Sequence, residues 1–361
     1  MAEHFVDLAH TLWWGMPLPP FMLFLPFMAL AIAGCASAPP LGADITETIA
    51  IQAQAVPLNR FIPAQNRVGR LKYMGGLWLQ SRDGRFGGLS GLRWHGGTLY
   101  AVSDAGDWLA MNVREDGGRL TGIGHTRIRR LNGLVGQPLD GKVLADAEAL
   151  NLNFEACGAG ACEPQGASIG FERKHRVWTY RLIDGMPVDA PVPEPLPADW
   201  LARQPSNGGL EAIAGRNGVQ LAISEEMLLA DGRNAALVRN GSHWVETGVA
   251  AASEYKPTDA DYVGPATGGG DEYLVLFRRY SLSHGVGTQL GIITVFPDRL
   301  GEAAVSPTER IAELGGPYNI DNMEGLAVRR EVGRTLIYVL SDDNFSGLQR
   351  TVLLKFELLP K

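Results

Sequence analysis

The sequence predicts an all-β protein, a single β-propeller of about six blades, and three observations carry that prediction. A phrase built from a small turn, an acidic residue and a short apolar pair, then a strand ending in a charged loop, recurs at intervals of tens of residues. Short β-rich runs bounded by Gly, Asp, Asn and Pro fill the stretches between these phrases. No helical periodicity is sustained over a dozen residues. The 45 Gly and 22 Pro in 361 residues suit many tight turns between short strands, and a hydrophobic content of 45 % is ample for a packed core. A net charge of -7 with no Lys/Arg-rich run excludes nucleic acid as the partner.

From the amino terminus, Phe21 to Ala33 is almost wholly apolar and runs into Ile32-Ala33-Gly34-Cys35. It is too short to span a bilayer comfortably, and small residues before a cysteine resemble the lipobox of bacterial lipoproteins, where the thiol is acylated. The expectation is a signal peptide over 1–34, a lipid anchor on Cys35 and a flexible tether over 35–70. No Lys or Arg precedes Arg60, so the basic start typical of such signals is missing. Ala36, rather than Asp, follows the cysteine, which fits the outer membrane, facing the periplasm of a bacterial envelope. The body, 71–361, is expected to be monomeric.

Strands are predicted at Leu99–Ser103, Val177–Leu182, Val219–Ser224, Tyr273–Arg278, Gly291–Phe296, Leu336–Ser341 and Thr351–Leu358, with one short helix at Pro197–Gln204. A strand near Leu71–Leu79 would pair with Leu353–Leu358 and close the ring without a bare edge. The recurring phrase reads Gly88-Leu89-Ser90-Gly91-Leu92, Asp146-Ala147-Glu148-Ala149-Leu150, Gly209-Leu210-Glu211-Ala212-Ile213 and Asn322-Met323-Glu324-Gly325-Leu326. Its spacings are 58 residues from Ser90 to Glu148, 63 to Glu211 and 113 to Glu324, and Asp259-Ala260-Asp261 fills the long gap as a further copy.

In a propeller this repetition gathers Glu148, Glu211 and Glu324 at one mouth, with Asp104, Glu225, Asp342 and Asp343 at equivalent strand ends. Confined carboxylates repel one another and need a cation, a proton or an arginine. Hard oxygen ligands suit a divalent cation, Ca²⁺ in preference to Mg²⁺. The structural alternative is that each acid caps a turn by accepting backbone N–H bonds. Arg173 and Arg278 end two of the strands and suit phosphate oxygens, while Glu172 and His175 nearby offer acid–base chemistry. Gly136 to Lys142 has the spacing of a phosphate-binding loop, but Val143 and Pro138 break its pattern, so it is read as chance. With Cys35 acylated, Cys157 and Cys162 remain around a Gly/Ala loop in an oxidising compartment, which favours a disulfide. The rival is a metal-binding pair, for which no second Cys pair or spaced His completes a zinc site.

Taken together, Gly88-Leu89-Ser90-Gly91-Leu92, Ser103-Asp104, Asp146 to Leu150, Gly170 to Arg176, Asn207 to Ala212, Asn322 to Leu326 and Ser341 to Phe345 resemble the phytase-like domain, also called esterase-like activity of phytase. The resemblance covers Leu71 to Phe356. It implies a propeller, an active centre of Glu and Asp residues, bacterial export and phosphoester hydrolysis. Two function classes follow. One is a metal-dependent phosphoesterase acting on a small phosphorylated or ester substrate. The other is a non-catalytic envelope propeller holding a structural cation and binding a partner; a Ca²⁺-dependent lactonase is a third possibility.

Overall fold

Apolar residues alternate along the strands in a way that leaves neither face free. In Thr98–Ser103, Leu99 and Ala101 pack to one side while Tyr100 and Val102 pack to the other. A sheet apolar on both faces must lie between two others, and a ring of such sheets satisfies every one of them. The computed structural model describes residues 46–154, 162–281, 283–299 and 301–361. The expected signal peptide, Cys35 and Cys157 lie outside the described residues, and so does the expected pairing of Cys157 with Cys162.

The described residues form five antiparallel sheets, each a blade. Blade 1 runs outward from Leu89–His95 through Thr98–Ser103 and Asp107–Asp116 to Arg119–Arg130. Blade 2 comprises Ala147–Asn153, Gly166–Phe171, Arg176–Ile183 and Met186–Glu194, and blade 3 Leu210–Ala214, Leu221–Leu228, Asn234–Asn240 and His243–Val249. Blade 4 comprises Lys256–Pro265, Asp271–Ser281, Gly285–Val295 and Glu309–Gly315. Blade 5 takes Asn322–Glu331, Arg334–Asp342 and Thr351–Leu358 from the carboxyl end and Leu71–Ser81 from the amino end. The five innermost strands touch in ring order, and five hydrophobic clusters fill the five gaps between neighbouring blades.

The blade number is therefore five, not six. The copies around Ser90, Glu148, Glu211, Asp259 and Glu324 each found one blade, and their spacing leaves no room for a sixth. The expected closure is present: Thr351–Leu358 pairs antiparallel with Leu71–Ser81, with Leu353 opposite Leu77. The predicted helix is also present, as Ala198–Ala202, and it buries Trp200.

The expected flexible tether is ordered from residue 46 onward. Glu47–Ile49 adds a fifth strand to the outer edge of blade 1, and Ile51–Ala55 adds one to the outer edge of blade 5. Ile49 is buried and Ile51 packs against the same cluster, between blades 5 and 1. Further on, Leu58 is fully buried and Arg67–Val68 pairs with Leu71–Ser81. Two apolar side chains in this arm lie across the closing seam, which is why it does not behave as a linker.

The ring's centre is plugged rather than open. Arg93 of blade 1, only 3 % exposed, meets Asp259 of blade 4 in a two-pronged ion pair with Nη–Oδ distances of 3.0 and 3.1 Å. Its Nη groups also donate to the carbonyls of Ile213 in blade 3, Leu326 in blade 5 and Ala260 in blade 4. Asp259 in turn accepts the N–H of Leu326 at 2.8 Å. One side chain thus ties four blades together and separates the two mouths.

Candidate functional site

Every innermost strand carries a register shift at the same place. Leu89 and Leu92 face Ser103 and Ala101, so Ser90 and Gly91 oppose a single residue; Glu148, Glu211, Thr258 and Glu324 are the extra residues in the other four blades. A bulge re-aims the side chain it carries, and five bulges in ring order place Ser90, Glu148, Glu211, Thr258 and Glu324 around one mouth. A second ring sits at the end of each second strand. There Ser103, Phe171, Ser224, Phe277 and Ser341 pair with the innermost strands, and the next residues are Asp104, Glu172, Glu225, Arg278 and Asp342. Blade 4 departs from the pattern in both rings, contributing Thr258 and Arg278 where its neighbours supply acids. The fourth copy is therefore in register at Thr258, not at Asp259, whose carboxylate serves the central plug.

These rings enclose a cavity of about 110 Å³ with an almost wholly polar lining. Seven carboxylates line it, from Asp104, Glu148, Glu172, Glu211, Glu225, Glu324 and Asp342, against three cationic side chains, Lys142, Arg173 and Arg278. Arg278 reaches Glu225 at 2.9 Å and Glu324 at 3.0 Å. Lys142 bonds Asp104 and lies 2.8 Å from Asp146, which also receives Arg173 Nε at 2.6 Å. Glu211 makes no side-chain hydrogen bond among the described residues, and Asp104 Oδ1 is buried without a partner.

Burial first, and then the surplus of negative charge, sets the protonation of the site. Burial pushes Glu148 and Glu211 well above the ordinary carboxylate range; Glu211 adds to the shift of Glu148, and Glu225 and Glu172 to that of Glu211. Burial and then Glu324 raise Asp342 from 3.8 to about 8. Glu324 and Asp104 are also raised by burial, with Arg278 and Lys142 respectively opposing. Burial alone would weaken the charge of Arg278, but Glu324, Glu225 and Glu211 more than offset it.

Linkage turns these shifts into a testable sign. A carboxyl whose folded pKa lies above its unfolded one binds a proton in the folded state that the unfolded chain has already released, so stability falls as pH rises between the two values. In chelator the melting temperature should drop between pH 3.8 and about 8, the window set by Asp342. A divalent cation should abolish the drop, because it favours the ionised carboxylates. A melting temperature that is flat across this window in chelator contradicts the assignment.

The residues fit a hard cation. Asp146, Glu148 and Glu172 each offer an oxygen, all within 4.8 Å of one another, and every donor is a carboxylate. Of the residues singled out from sequence, Asp104, Glu148, Glu172, Arg173, Glu211, Glu225, Arg278, Glu324 and Asp342 share the cavity. Two do not. Asp343 accepts the N–H groups of Gly88 and Phe345 and the hydroxyl of Thr351, so it caps a turn. His175 Nε2 donates to the Pro205 carbonyl at 2.8 Å, and its ring lies against Gly209, where a Cβ would meet it at 2.2 Å. Glu172 has a divided role, since its carboxylate also accepts the N–H groups of Gly208 and Gly209.

Sequence reasoning missed Lys142 and Asp146. Lys142 lies on a short helix, Lys142–Ala145, in the stretch set aside as a failed phosphate loop, and Asp146 heads the second copy of the phrase. The i,i+4 spacing of the two was the available signal.

Comparison with solved structures gives only weak likenesses. The S. cerevisiae complex of Dbp5 with Nup159, Gle1, IP6 and ADP matches at 7 % identity and a TM-score of 0.28, covering 87 % of this chain and 95 % of that one. The N-terminal domain of Nup159 matches at 9 % and 0.32, covering 81 % and 96 %. Trypanosoma rangeli sialidase with the inhibitor DANA matches at 10 % and 0.28, covering 85 % and 55 %. At these TM-scores none of them carries an argument. No curated protein matches the chain. The family model described as phytase-like, esterase-like activity of phytase, matches residues 84–345, a span that reaches into all five blades. With that match over most of its length, the chain belongs to the phytase-like family.

Proposed function

We propose that this chain is a metal-dependent hydrolase of small phosphoesters, acting at the acidic mouth. The observation that carries the proposal is the unbalanced cavity, in which seven carboxylates face three cationic groups and Glu211 has no donor. Glu148, with Asp146 and Glu172 beside it and Glu324, Asp104 and Asp342 in the same cluster of acids, would hold a divalent cation, Ca²⁺ in preference to Mg²⁺. Once bound, it would supply the positive charge that the cavity lacks and polarise a phosphoryl oxygen as a Lewis acid. Arg278, fixed between Glu225 and Glu324, and Arg173, fixed on Asp146, are positioned to meet the remaining phosphoryl oxygens. Glu211 is the carboxylate free to take the proton of an attacking water as the water's oxygen bonds to phosphorus and the ester oxygen departs. The narrow cavity admits the phosphoryl head and leaves the rest of the substrate outside.

The second reading is a non-catalytic propeller with a structural cation, and one observation favours it: Glu172 and Asp343 hold backbone turns, as acids in a purely architectural role would. Phosphate release from a panel of mono- and diesters, with Ca²⁺, Mg²⁺ or chelator, separates the two, and lactones in the same panel test the lactonase alternative. Turnover that needs the cation supports the hydrolase. No turnover, with a melting temperature that still responds to chelator, supports the structural cation. The proposal also includes export, a lipid anchor on Cys35 at the outer membrane and a Cys157–Cys162 disulfide, supported by the Ile32–Cys35 pattern and the parity of three cysteines.

A further inference from the structure

The carboxyl ends of the five innermost strands surround a second cavity, on the far side of the Arg93 plug from the acids. It measures about 320 Å³ and takes residues from all five blades. Its chemistry is the reverse of the acidic mouth. Arg216 and Arg330 lie on its exposed rim, and neither guanidinium has an ion-pair or hydrogen-bond partner among the described residues. Both arginines line the same cavity as Tyr262. Arg330 lies against Gly264, where a Cβ would meet its Nη1 at 2.5 Å, so the missing side chain makes room for that guanidinium.

The other charged groups are accounted for. Asp261 is the one carboxylate lining the cavity, and it accepts the N–H groups of Val328 and Tyr262 while lying 3.6 Å from Arg93 Nε. Arg93 Nε itself is buried without a hydrogen-bond acceptor. His95 faces Glu163 at 3.4 Å, and the hydroxyl of Tyr262 donates to Asp271. The lining also includes Leu152, Phe154, Val328 and Tyr262, together with Trp94, whose ring is stacked on Tyr338 with Arg329 over it.

We propose that this far mouth binds a small organic anion with a flat apolar body, such as an aryl carboxylate or aryl phosphonate. Arg216 and Arg330 would take the anionic group in their forks, and the aromatic wall would cover the ring. The site is concave, and its lining mixes polar groups with the apolar and aromatic side chains that would cover the ring. It does not depend on the acidic mouth being catalytic.

Isothermal titration calorimetry in chelator tests the proposal with phenylphosphonate and benzoate as probes and inorganic phosphate as the control without a body. One-to-one binding at about 1 mM or tighter is expected for at least one aryl probe. The double variant Arg216→Ala/Arg330→Ala should weaken it at least about tenfold, the loss typical of hydrogen bonds to charged groups. Because both arginines are exposed and unpaired, the melting temperature of that variant should match the wild type. Phe154→Ala should weaken the aryl probes and leave inorganic phosphate unaffected. No binding of either aryl probe, or equal binding to the double variant, overturns the proposal. Phosphate binding as tight as phenylphosphonate overturns the part that assigns the apolar body.

Discussion

Replacing Arg93 by methionine is expected to destabilise the propeller by about 3–5 kcal/mol, the usual cost of leaving one member of a buried ion pair alone. The substitution removes both prongs to Asp259 and strips donors from the carbonyls of Ile213, Ala260 and Leu326, so four blades lose their common tie. The loss should depend on pH. Burial already pushes Asp259 up to about 7 against the pull of Arg93, and without that pull it moves further up. At acid pH the orphaned carboxyl is therefore neutral, and the penalty shrinks; above neutrality it is charged or must bind a proton at a cost. Urea unfolding midpoints at pH 5 and pH 8 measure this, with Arg93→Met/Asp259→Leu expected to recover part of the stability. A loss below about 1 kcal/mol at pH 8 would show that the plug is not a tie at all.

The second large effect is on chemistry. Glu211→Gln should reduce cation-dependent turnover by at least about a hundredfold, the lower range for removal of a general base. The same substitution should leave the fold intact, and in chelator at pH 8 it should raise the melting temperature. The reason is that burial and the neighbouring Glu225 and Glu172 hold Glu211 above its ordinary range, and an amide of equal size removes the repulsion. Loss of turnover together with a gain in metal-free stability is a combination that a turn-capping role does not produce. Unchanged turnover in Glu211→Gln sinks the hydrolase assignment.

Much of the fold was legible because propeller strands obey local rules. Thr351–Leu358 reads as a strand from its composition alone, and its pairing with Leu71–Ser81 follows from the need to protect two edges. The acids were legible because one phrase repeats them. What was not legible depends on register. A bulge adds one residue to one strand, and nothing in Thr258-Asp259-Ala260-Asp261 says which member takes the extra place. The structure gives it to Thr258, so Asp259 turns to Arg93 and leaves the ring of acids. Arg93 itself carries no sequence signal, since an arginine beside Trp94 in a half-apolar strand reads as solvated. Asp343 and His175 show the opposite failure: they stand beside site residues in sequence, but hydrogen bonds to backbone groups, local for Asp343 and 30 residues away for His175, turn them to structural work.

The arm over residues 47–55 has a consequence for how the chain is made. Leu71–Ser81 is synthesised some 270 residues before its partner Thr351–Leu358. At roughly 5–20 residues per second, the wait is on the order of 15–60 s. A strand with two bare edges is a template for aggregation throughout such an interval. The arm shortens that exposure. Ile51–Ala55 covers one edge of the waiting strand as soon as both have emerged, and Glu47–Ile49 moors it to Arg119–Arg130 once blade 1 is complete. Only one edge then stays open, already beside the place where Thr351–Leu358 must dock.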